Sequence, residues 1–180
     1  EGDAVLVTGS GLSETRDGGY AEYARLESKW VVALPAGLSL RESMILGTAG
    51  FTAALALLRM QDNRQSPDLG PLAVTGAIAI FSKAGYEVHA ISGKADQAGY
   101  LQALGASAVL GREALSTTRP MDAARFGGGL DNVGGPMLAA LLAQTAPYGN
   151  VASAGLAASH ELHATVMPFI IRGVSLLGVA

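Results

Sequence analysis

The stretch PLAVTGAIAIFSKAGYEVHAISGK, residues 71–94, constrains the fold more than any other part of this sequence. An apolar run with a Thr-Gly turn stands at one end and a second apolar strand at the other, which is typical of a nucleotide-binding βαβ unit. Only residues 78–85 separate the two strands, whereas a crossover between parallel strands needs about a dozen residues or more. Either this is not a βαβ unit, or part of the unit is missing from the sequence.

The composition predicts a folded globular chain without thiol chemistry. Hydrophobic residues make up 49% of the 180 residues, which is enough for a buried core. The net charge of -3 and the lack of Lys or Arg runs give no indication of nucleic-acid binding. Because the chain contains no cysteine, disulfides, thiolate zinc ligands and a thiol nucleophile are excluded. We expect a cytoplasmic protein, since this composition fits a reducing compartment.

The longest uncharged segment, residues 43–58, is interrupted by Gly and Thr and is shorter than the ~20 residues of a membrane span. A buried helix pair is the better interpretation, and we expect no membrane association. The sequence opens with Glu-Gly-Asp, without a Met or the basic segment of a signal peptide. We therefore expect it to begin inside a longer protein.

From residue 71 onward, strands alternate with helices, which predicts an α/β fold with a doubly wound parallel Rossmann sheet. Before it, alternating apolar positions predict two short strands, and Ser39 and Glu42 have the spacing of a capping box that begins an apolar helical region. The predicted strands are residues 2–9, 19–32, 72–75, 87–92, 106–110, 129–133, 149–154 and 174–179. The later predicted helices are residues 78–84, 95–104, 136–145 and 165–171.

The carboxyl ends of four predicted strands are rich in glycine and other small residues. Ligands bind a doubly wound sheet at this edge, and small residues let a flat or extended ligand approach the backbone. Glycine at one strand end most often only makes a turn, but four such ends together favour a ligand site that includes Gly76. The four ends read TGA at residues 75–77, SGK at 92–94, DNVG at 131–134 and AGL at 154–156.

The end of the second strand of this sheet indicates which dinucleotide would bind. An NAD-binding fold places Asp or Glu there, whereas small and basic residues suit the 2′-phosphate of NADP. Here Ser92, Gly93 and Lys94 provide a hydroxyl and an ammonium that could hold that phosphate. Tyr100 could pack near the adenosine. Lys94 could instead be a solvated residue at a helix start, although a cation is poorly placed there unless an anion is nearby.

Two other sets of polar residues could form sites. The segment HELH, residues 160–163, could suggest a metal, but Gly155 and the small residues around it favour a loop or strand. In a strand, positions three apart face opposite ways, so we predict no metal site. Asp131, near a strand end, is interpreted as structural rather than as a general base.

Several motifs together resemble the medium-chain dehydrogenase/reductase superfamily, and within it the zinc-independent quinone-oxidoreductase-like group with its acrylyl-CoA reductase branch. The combination of MILGTAGFTA with TVMPFIIR is specific to that branch, whereas the Rossmann elements alone are weak indicators. The motifs cover essentially the whole chain, and they are GDAVLVTG, GGYAEYARL, MILGTAGFTAALAL, VTGA, AISGK, YLQALGAS, LDNVGG and TVMPFIIRGVSLLGV.

The resemblance implies the end of a GroES-like β domain at residues 1–35 and an NADPH-binding Rossmann domain at residues 36–180. It implies NADPH-dependent hydride transfer that reduces the activated C=C bond of acryloyl-CoA to propionyl-CoA, without zinc. A quinone or enone is the alternative substrate on the same scaffold. Relatives pair through the last strand of the cofactor sheet, so a homodimer is expected.

The resemblance also implies site residues by position. Ser92, Gly93 and Lys94 match the 2′-phosphate site, and Thr48 matches a position near the nicotinamide or phosphates. The catalytic residues stay unassigned, because the family supplies most of them from segments outside this sequence. Asn132, Leu156 and Ile171 match positions along the cofactor path.

Residues 71–94 depart from the family pattern at one point. The family carries a glycine-rich turn of the form GGVG directly after VTGA, whereas here Ala77 is followed by Ile78. We hypothesise that about eight residues are missing at this point, which would restore a normal crossover. The opposing hypothesis is a non-catalytic nucleotide-binding or structural protein, because the pyrophosphate loses its main anchor without the backbone donors of the loop.

Overall fold

A computed structural model describes residues 2–179 of the chain, and these form an α/β fold. Their strands are β1 Val5–Leu6, β2 Val32–Ala33, β3 Leu72–Val74, β4 Val88–Ile91, β5 Ala108–Leu110, β6 Phe126–Asp131, β7 Thr145–Ser153 and β8 Ser175–Gly178. Their α-helices are α1 Leu40–Asp62, α2 Ile78–Lys83, α3 Ala98–Ala103, α4 Gly135–Gln144 and α5 Met167–Arg172. Short 3₁₀ turns lie at Ser28–Trp30, Pro67–Leu69, Ala95–Gln97 and Arg112–Leu115.

The last six strands form one parallel sheet in the order β5-β4-β3-β6-β7-β8. Because the chain starts in the middle of the sheet and winds outward in both directions, the strand order reverses between β3 and β6. The predicted doubly wound sheet is therefore confirmed. All six of its predicted strands occur, with ends that differ mainly at β6 and β7, since both begin several residues earlier than their apolar patterns suggest.

Apolar residues cover both faces of this sheet, as a doubly wound fold requires. On one face, α2 contributes Phe81 and the second half of α1 contributes Met60, both fully buried against strand residues such as Val74. On the other face, α4 contributes Leu141 and Leu142, which are also fully buried.

Helix α1 differs from the predicted buried pair of helices. It is one helix with a kink at Gly47, where φ is 51° and ψ is -158°. Met44 is 81% exposed and Phe51 57% exposed, whereas small residues such as Ala56 face the core. The prediction of burial was wrong because a helix that is apolar all round does not reveal which face packs. With a mean hydropathy of 1.4 over 18 residues, α1 is long and apolar enough to cross a membrane, as are core helices of globular proteins.

The contacts within the chain divide it into two compact units between Phe51 and Thr52. In the first unit, β1 and β2 pair antiparallel, with Val5 opposite Ala33. The strand predicted over residues 19–32 is wrong, because that segment consists of bends, irregular backbone and the 3₁₀ turn Ser28–Trp30, and only its last residue lies in a strand. The predicted domain boundary after residue 35 stays a prediction.

The short crossover between β3 and β4 is built around Ala77. This residue adopts the left-handed conformation, with φ 58° and ψ 36°, and helix α2 begins directly after it. Its carbonyl accepts a hydrogen bond from the N–H of Ile80 at 3.3 Å. A left-handed turn is one that glycine adopts without strain and alanine does not. The absence of a segment between Ala77 and Ile78 stays a hypothesis.

Candidate cofactor site

A cavity of about 830 Å³ lies at the carboxyl ends of β3 and β4. The predicted residues Ser92, Gly93, Lys94 and Tyr100 all line it, together with Thr75. The structure thus brings together the three residues that the sequence assigned to the 2′-phosphate and the tyrosine that it assigned to the adenosine. They meet because β4 ends at Ile91, and the 3₁₀ turn Ala95–Gln97 and helix α3 fold back over that end.

The turn after β4 is organised by the hydroxyl of Ser92. The N–H of Ser92 donates to the carbonyl of Leu110 at 2.9 Å, which continues the sheet by one residue. Its Oγ accepts a hydrogen bond from the N–H of Lys94 at 3.1 Å. Because the oxygen accepts in this contact, the hydroxyl proton is available to a ligand.

Arg112 is a cavity residue that the sequence analysis missed. It lines the same cavity from the turn that follows β5. A Cβ added at Gly93 would lie 2.9 Å from Nε of Arg112, so the guanidinium group packs over the bare backbone of Gly93. Parallel pairing of Ile91 with Leu110 places the end of β5 beside the end of β4. No local sequence signal marks Arg112, because strand pairing creates this approach.

Lys94 and Arg112 place two positive charges on the wall of this cavity. Neither Lys94 nor Arg112 belongs to an ion pair among residues 2–179. Unpaired ammonium and guanidinium groups beside a free hydroxyl are the donors that a phosphate prefers.

Gly76 and Asn132 meet where the strand order reverses. The N–H of Asn132 donates to Oγ1 of Thr75 at 2.9 Å, and the N–H of Thr75 donates to the carbonyl of Leu130 at 3.1 Å. A Cβ added at Gly76 would lie 3.0 Å from Nδ2 of Asn132. These contacts tie together the ends of β3 and β6, the point at which doubly wound folds bind a nucleotide.

A smaller cavity of about 180 Å³ lies at the carboxyl ends of β6 and β7. Leu156 lines it and is 65% exposed, and Gly134, Gly155 and His160 contribute to the same wall. The two cavities therefore lie on the two halves of the sheet, on either side of the strand reversal. A dinucleotide needs two such places, one for each nucleotide.

Two predicted site residues lie elsewhere. Ile171, on α5, is more than half exposed and lines neither cavity. Thr48 lies in the first compact unit, where its Oγ1 is 3.0 Å from Oγ1 of Thr8. Their assignments to the cofactor path stay predictions.

The HELH segment forms a loop. Nε2 of His163 is 3.2 Å from Oε2 of Glu161. Residues 2–179 contain no group of three His, Asp or Glu side chains that could hold a metal ion.

The carboxylate of Asp131 binds the backbone of the turn that follows it. It is fully buried at the end of β6, and its carboxylate accepts the N–H groups of Gly134 at 2.7 Å and Val133 at 3.2 Å. These bonds hold the turn into α4. Burial raises the pKa of the Asp131 carboxyl, and the two hydrogen bonds oppose that rise without cancelling it.

We expect Asp131→Asn to lower the free energy of unfolding by about 1–3 kcal/mol, because an amide has one acceptor oxygen for two buried N–H donors. The raised pKa sets the pH dependence. The folded state binds the carboxyl proton of Asp131 more tightly than the unfolded chain does. The free energy of unfolding therefore falls as the pH rises from 3.8, the ordinary pKa of an Asp carboxyl, through the pKa of the folded state. The advantage of the wild type over the variant should therefore grow as the pH falls through that window, as measured by urea unfolding.

Asp122→Asn is the matched control for that measurement. Hydrogen bonds from Ala123 and Thr117 lower the pKa of the Asp122 carboxyl. Its contribution is therefore present above the ordinary 3.8 and is lost as the pH falls, which is the opposite sign. Equal slopes in the two variants would contradict the assignment for Asp131.

Comparison with known proteins finds chains that are similar in sequence. No protein-family model matches the chain. It is 45% identical over 189 residues to the putative quinone oxidoreductase YhfP of Bacillus subtilis and 45% identical over 186 residues to the probable acrylyl-CoA reductase AcuI of Escherichia coli. Each match covers 99% of this chain and 57% of the relative.

Two solved structures show the same backbone. The YhdH oxidoreductase of Salmonella enterica, in complex with NADP, matches with a TM-score of 0.96 and 45% identity over 99% of this chain and 58% of its own. The YhfP protein of Bacillus subtilis, with NAD bound, matches with a TM-score of 0.96 and 44% identity over 100% of this chain and 58% of its own.

These relatives bear out the predicted resemblance of the chain to the medium-chain dehydrogenase/reductase superfamily. The predicted resemblance to its quinone-oxidoreductase-like group and acrylyl-CoA reductase branch is confirmed by these relatives. The chain spans 57% of their length. The matches run over more residues than the 180 of this chain, so these superfamily relatives carry residues inside the matched region that this chain lacks. That difference agrees with the hypothesis of a missing segment and does not locate it.

Proposed function

We propose that the full-length protein is an NADPH-dependent oxidoreductase that reduces the activated C=C bond of an enoyl thioester such as acryloyl-CoA. The observation that carries this proposal is the cavity at the end of β4, where Ser92, Lys94 and Arg112 present a hydroxyl and two unpaired cations. Names of the relatives support the substrate, since one is called a probable acrylyl-CoA reductase.

The donor set fits the adenosine half of NADPH. Lys94 and Arg112 would hold the 2′-phosphate by charge-assisted hydrogen bonds, and the Ser92 hydroxyl would donate a third. Gly93 leaves room for Arg112 to lie against the backbone. Tyr100, which is 62% exposed on the same wall, offers an aromatic face to the adenosine.

The second half of the cofactor would extend past Gly76 and Asn132 towards the smaller cavity. Leu156 provides an apolar wall there. When bound, NADPH supplies a hydride to the β-carbon of the substrate. For Thr48 and Ile171 we propose roles along the same path, on the family pattern alone.

A quinone or enone reductase is the second candidate, supported by the relative that is named a putative quinone oxidoreductase. A non-catalytic nucleotide-binding or structural protein is the third. The direct junction of Ala77 with α2 favours it, because no glycine loop precedes the helix to donate N–H groups to a pyrophosphate.

Fluorescence titration of the full-length protein with NADPH, and with NADH as the control, tests this set of candidates. We expect saturable NADPH binding and faster turnover of acryloyl-CoA than of simple quinones. Failure to bind either cofactor would exclude both enzymes and leave the non-catalytic protein. Binding together with turnover of acryloyl-CoA no better than that of quinones would favour the second candidate.

We further propose that the protein is a cytoplasmic homodimer without membrane association. The dimer proposal is supported by β8, an edge strand that pairs only with β7 among residues 2–179. Leu176 and Leu177 on this strand are partly exposed. A free edge of this kind can pair with the same strand of a second copy.

A further inference from the structure

The cavity that holds the two cations also contains a carboxylate. Asp96 lines it from the 3₁₀ turn Ala95–Gln97, directly after Ser92-Gly93-Lys94. Its Oδ2 accepts a hydrogen bond from Nε2 of Gln97 at 2.9 Å. Within residues 2–179, no Lys or Arg forms an ion pair with Asp96. Its negative charge therefore acts on any ligand in the cavity.

A carboxylate in this position affects the two forms of the cofactor in opposite ways. The 2′-phosphate of NADPH is negatively charged, so Asp96 repels it and offsets part of the attraction of Lys94 and Arg112. NADH has a 2′-hydroxyl instead, which can donate a hydrogen bond to a carboxylate. Dinucleotide folds that prefer NADH use an Asp or Glu for that purpose, placed at the strand end itself.

We propose that Asp96 is a specificity-determining residue that narrows the preference for NADPH over NADH, so that this site accepts both cofactors. The proposal rests on the proposed function, since it assumes that the cavity binds the adenosine of a nicotinamide dinucleotide. Lys94 and Arg112 favour the phosphorylated form, and Asp96 reduces that advantage. At the separations that one cavity allows, repulsion between single charges near the surface corresponds to roughly a 3- to 10-fold change in affinity.

A purely structural role for Asp96 is the competing explanation. An acidic residue in the first turn of a helical segment is stabilising by itself, and Gln97 already occupies one of its oxygens. A structural role predicts a change in stability and an equal change in the affinity for both cofactors. A specificity role predicts a change in their ratio.

The test compares Asp96→Asn with Asp68→Asn in the full-length protein. Asp68 is the matched control, because it is also the acidic residue in the first turn of a 3₁₀ helix and lies outside the cavity. Isothermal titration with 2′,5′-ADP and 5′-AMP measures the adenosine half alone, independently of the pyrophosphate loop. Titration with NADPH and NADH then measures the whole cofactor.

We expect Asp96→Asn to tighten 2′,5′-ADP and NADPH about 3- to 10-fold, while 5′-AMP and NADH bind unchanged or more weakly. The difference should shrink at high salt. An unchanged ratio in Asp96→Asn, or the same change in Asp68→Asn, would overturn the inference while leaving the proposed function intact. If the wild type binds neither 2′,5′-ADP nor NADPH, the inference and the proposed function both fail.

Discussion

Arg112→Ala is expected to weaken NADPH binding about 10- to 100-fold while changing NADH affinity only about twofold, because the lost contact is a charge-assisted one to the 2′-phosphate. Lys94→Ala should also weaken NADPH binding, by roughly 10-fold. The effect is smaller because an exposed ammonium on a flexible side chain loses more conformational entropy on binding than the planar guanidinium of Arg112 does. Both cations line one cavity and neither is paired with a carboxylate among the described residues. Both cations are therefore free to bind the 2′-phosphate of NADPH.

Fluorescence titration with both cofactors measures these effects. Lys83→Ala is the control, because Lys83 is an exposed cation on α2 outside the cavity and should change neither affinity. Arg112→Lys separates charge from shape: it keeps the charge but loses the planar group that packs over Gly93, so an intermediate loss is expected. Equal weakening of NADPH and NADH in Arg112→Ala would contradict its assignment to the 2′-phosphate.

Asn150→Asp is expected to lower the free energy of unfolding by about 3–5 kcal/mol, because it places a carboxylate at a fully buried position that is hydrogen-bonded to other amide groups. Asn150 is 0% exposed on β7. Its Nδ2 donates to Oε1 of Gln65 at 3.0 Å and to the carbonyl of Asn63 at 3.2 Å, and its Oδ1 accepts from Nδ2 of Asn63. An aspartate oxygen in place of Nδ2 faces two acceptors and can donate only when it is protonated.

The loss in Asn150→Asp should become smaller as the pH falls, since burial favours the neutral acid in the folded state. Urea unfolding between neutral and mildly acidic pH measures both the loss and its recovery. Gln102→Glu makes the same chemical change at an exposed position of α3 and should shift stability by no more than about 0.5 kcal/mol. A loss as small as that of the control would show that the network contributes little.

The hydrogen-bond network around Asn150 includes buried polar side chains that the sequence does not reveal. Gln65 joins distant segments: its Nε2 donates to the carbonyl of Gly127, and its own carbonyl accepts from the hydroxyl of Tyr86. No local pattern marks Gln65 or Asn150 as buried, because amide side chains are ordinarily exposed. Their burial follows from the packing of the segment after α1 beneath the sheet.

The sequence by itself determined the elements of the sheet and one wall of the candidate site. Strand periodicity and glycine at strand ends are local properties of the chain, so the parallel sheet, the turn at Gly76 and the set Ser92-Gly93-Lys94 could be predicted without coordinates. The capping box at the start of α1 could be predicted for the same reason, and its bonds between Ser39 and Glu42 are present.

Only the tertiary structure decided which side chains share the cavity. Arg112 is 18 positions after Lys94, and parallel pairing of β4 with β5 brings the two together. Asp96 is close in sequence, but the 3₁₀ turn directs it into the cavity instead of starting a regular helix at residue 95. Charge balance in a site depends on distances between segments, and these are set by strand order and register, which a linear pattern does not contain.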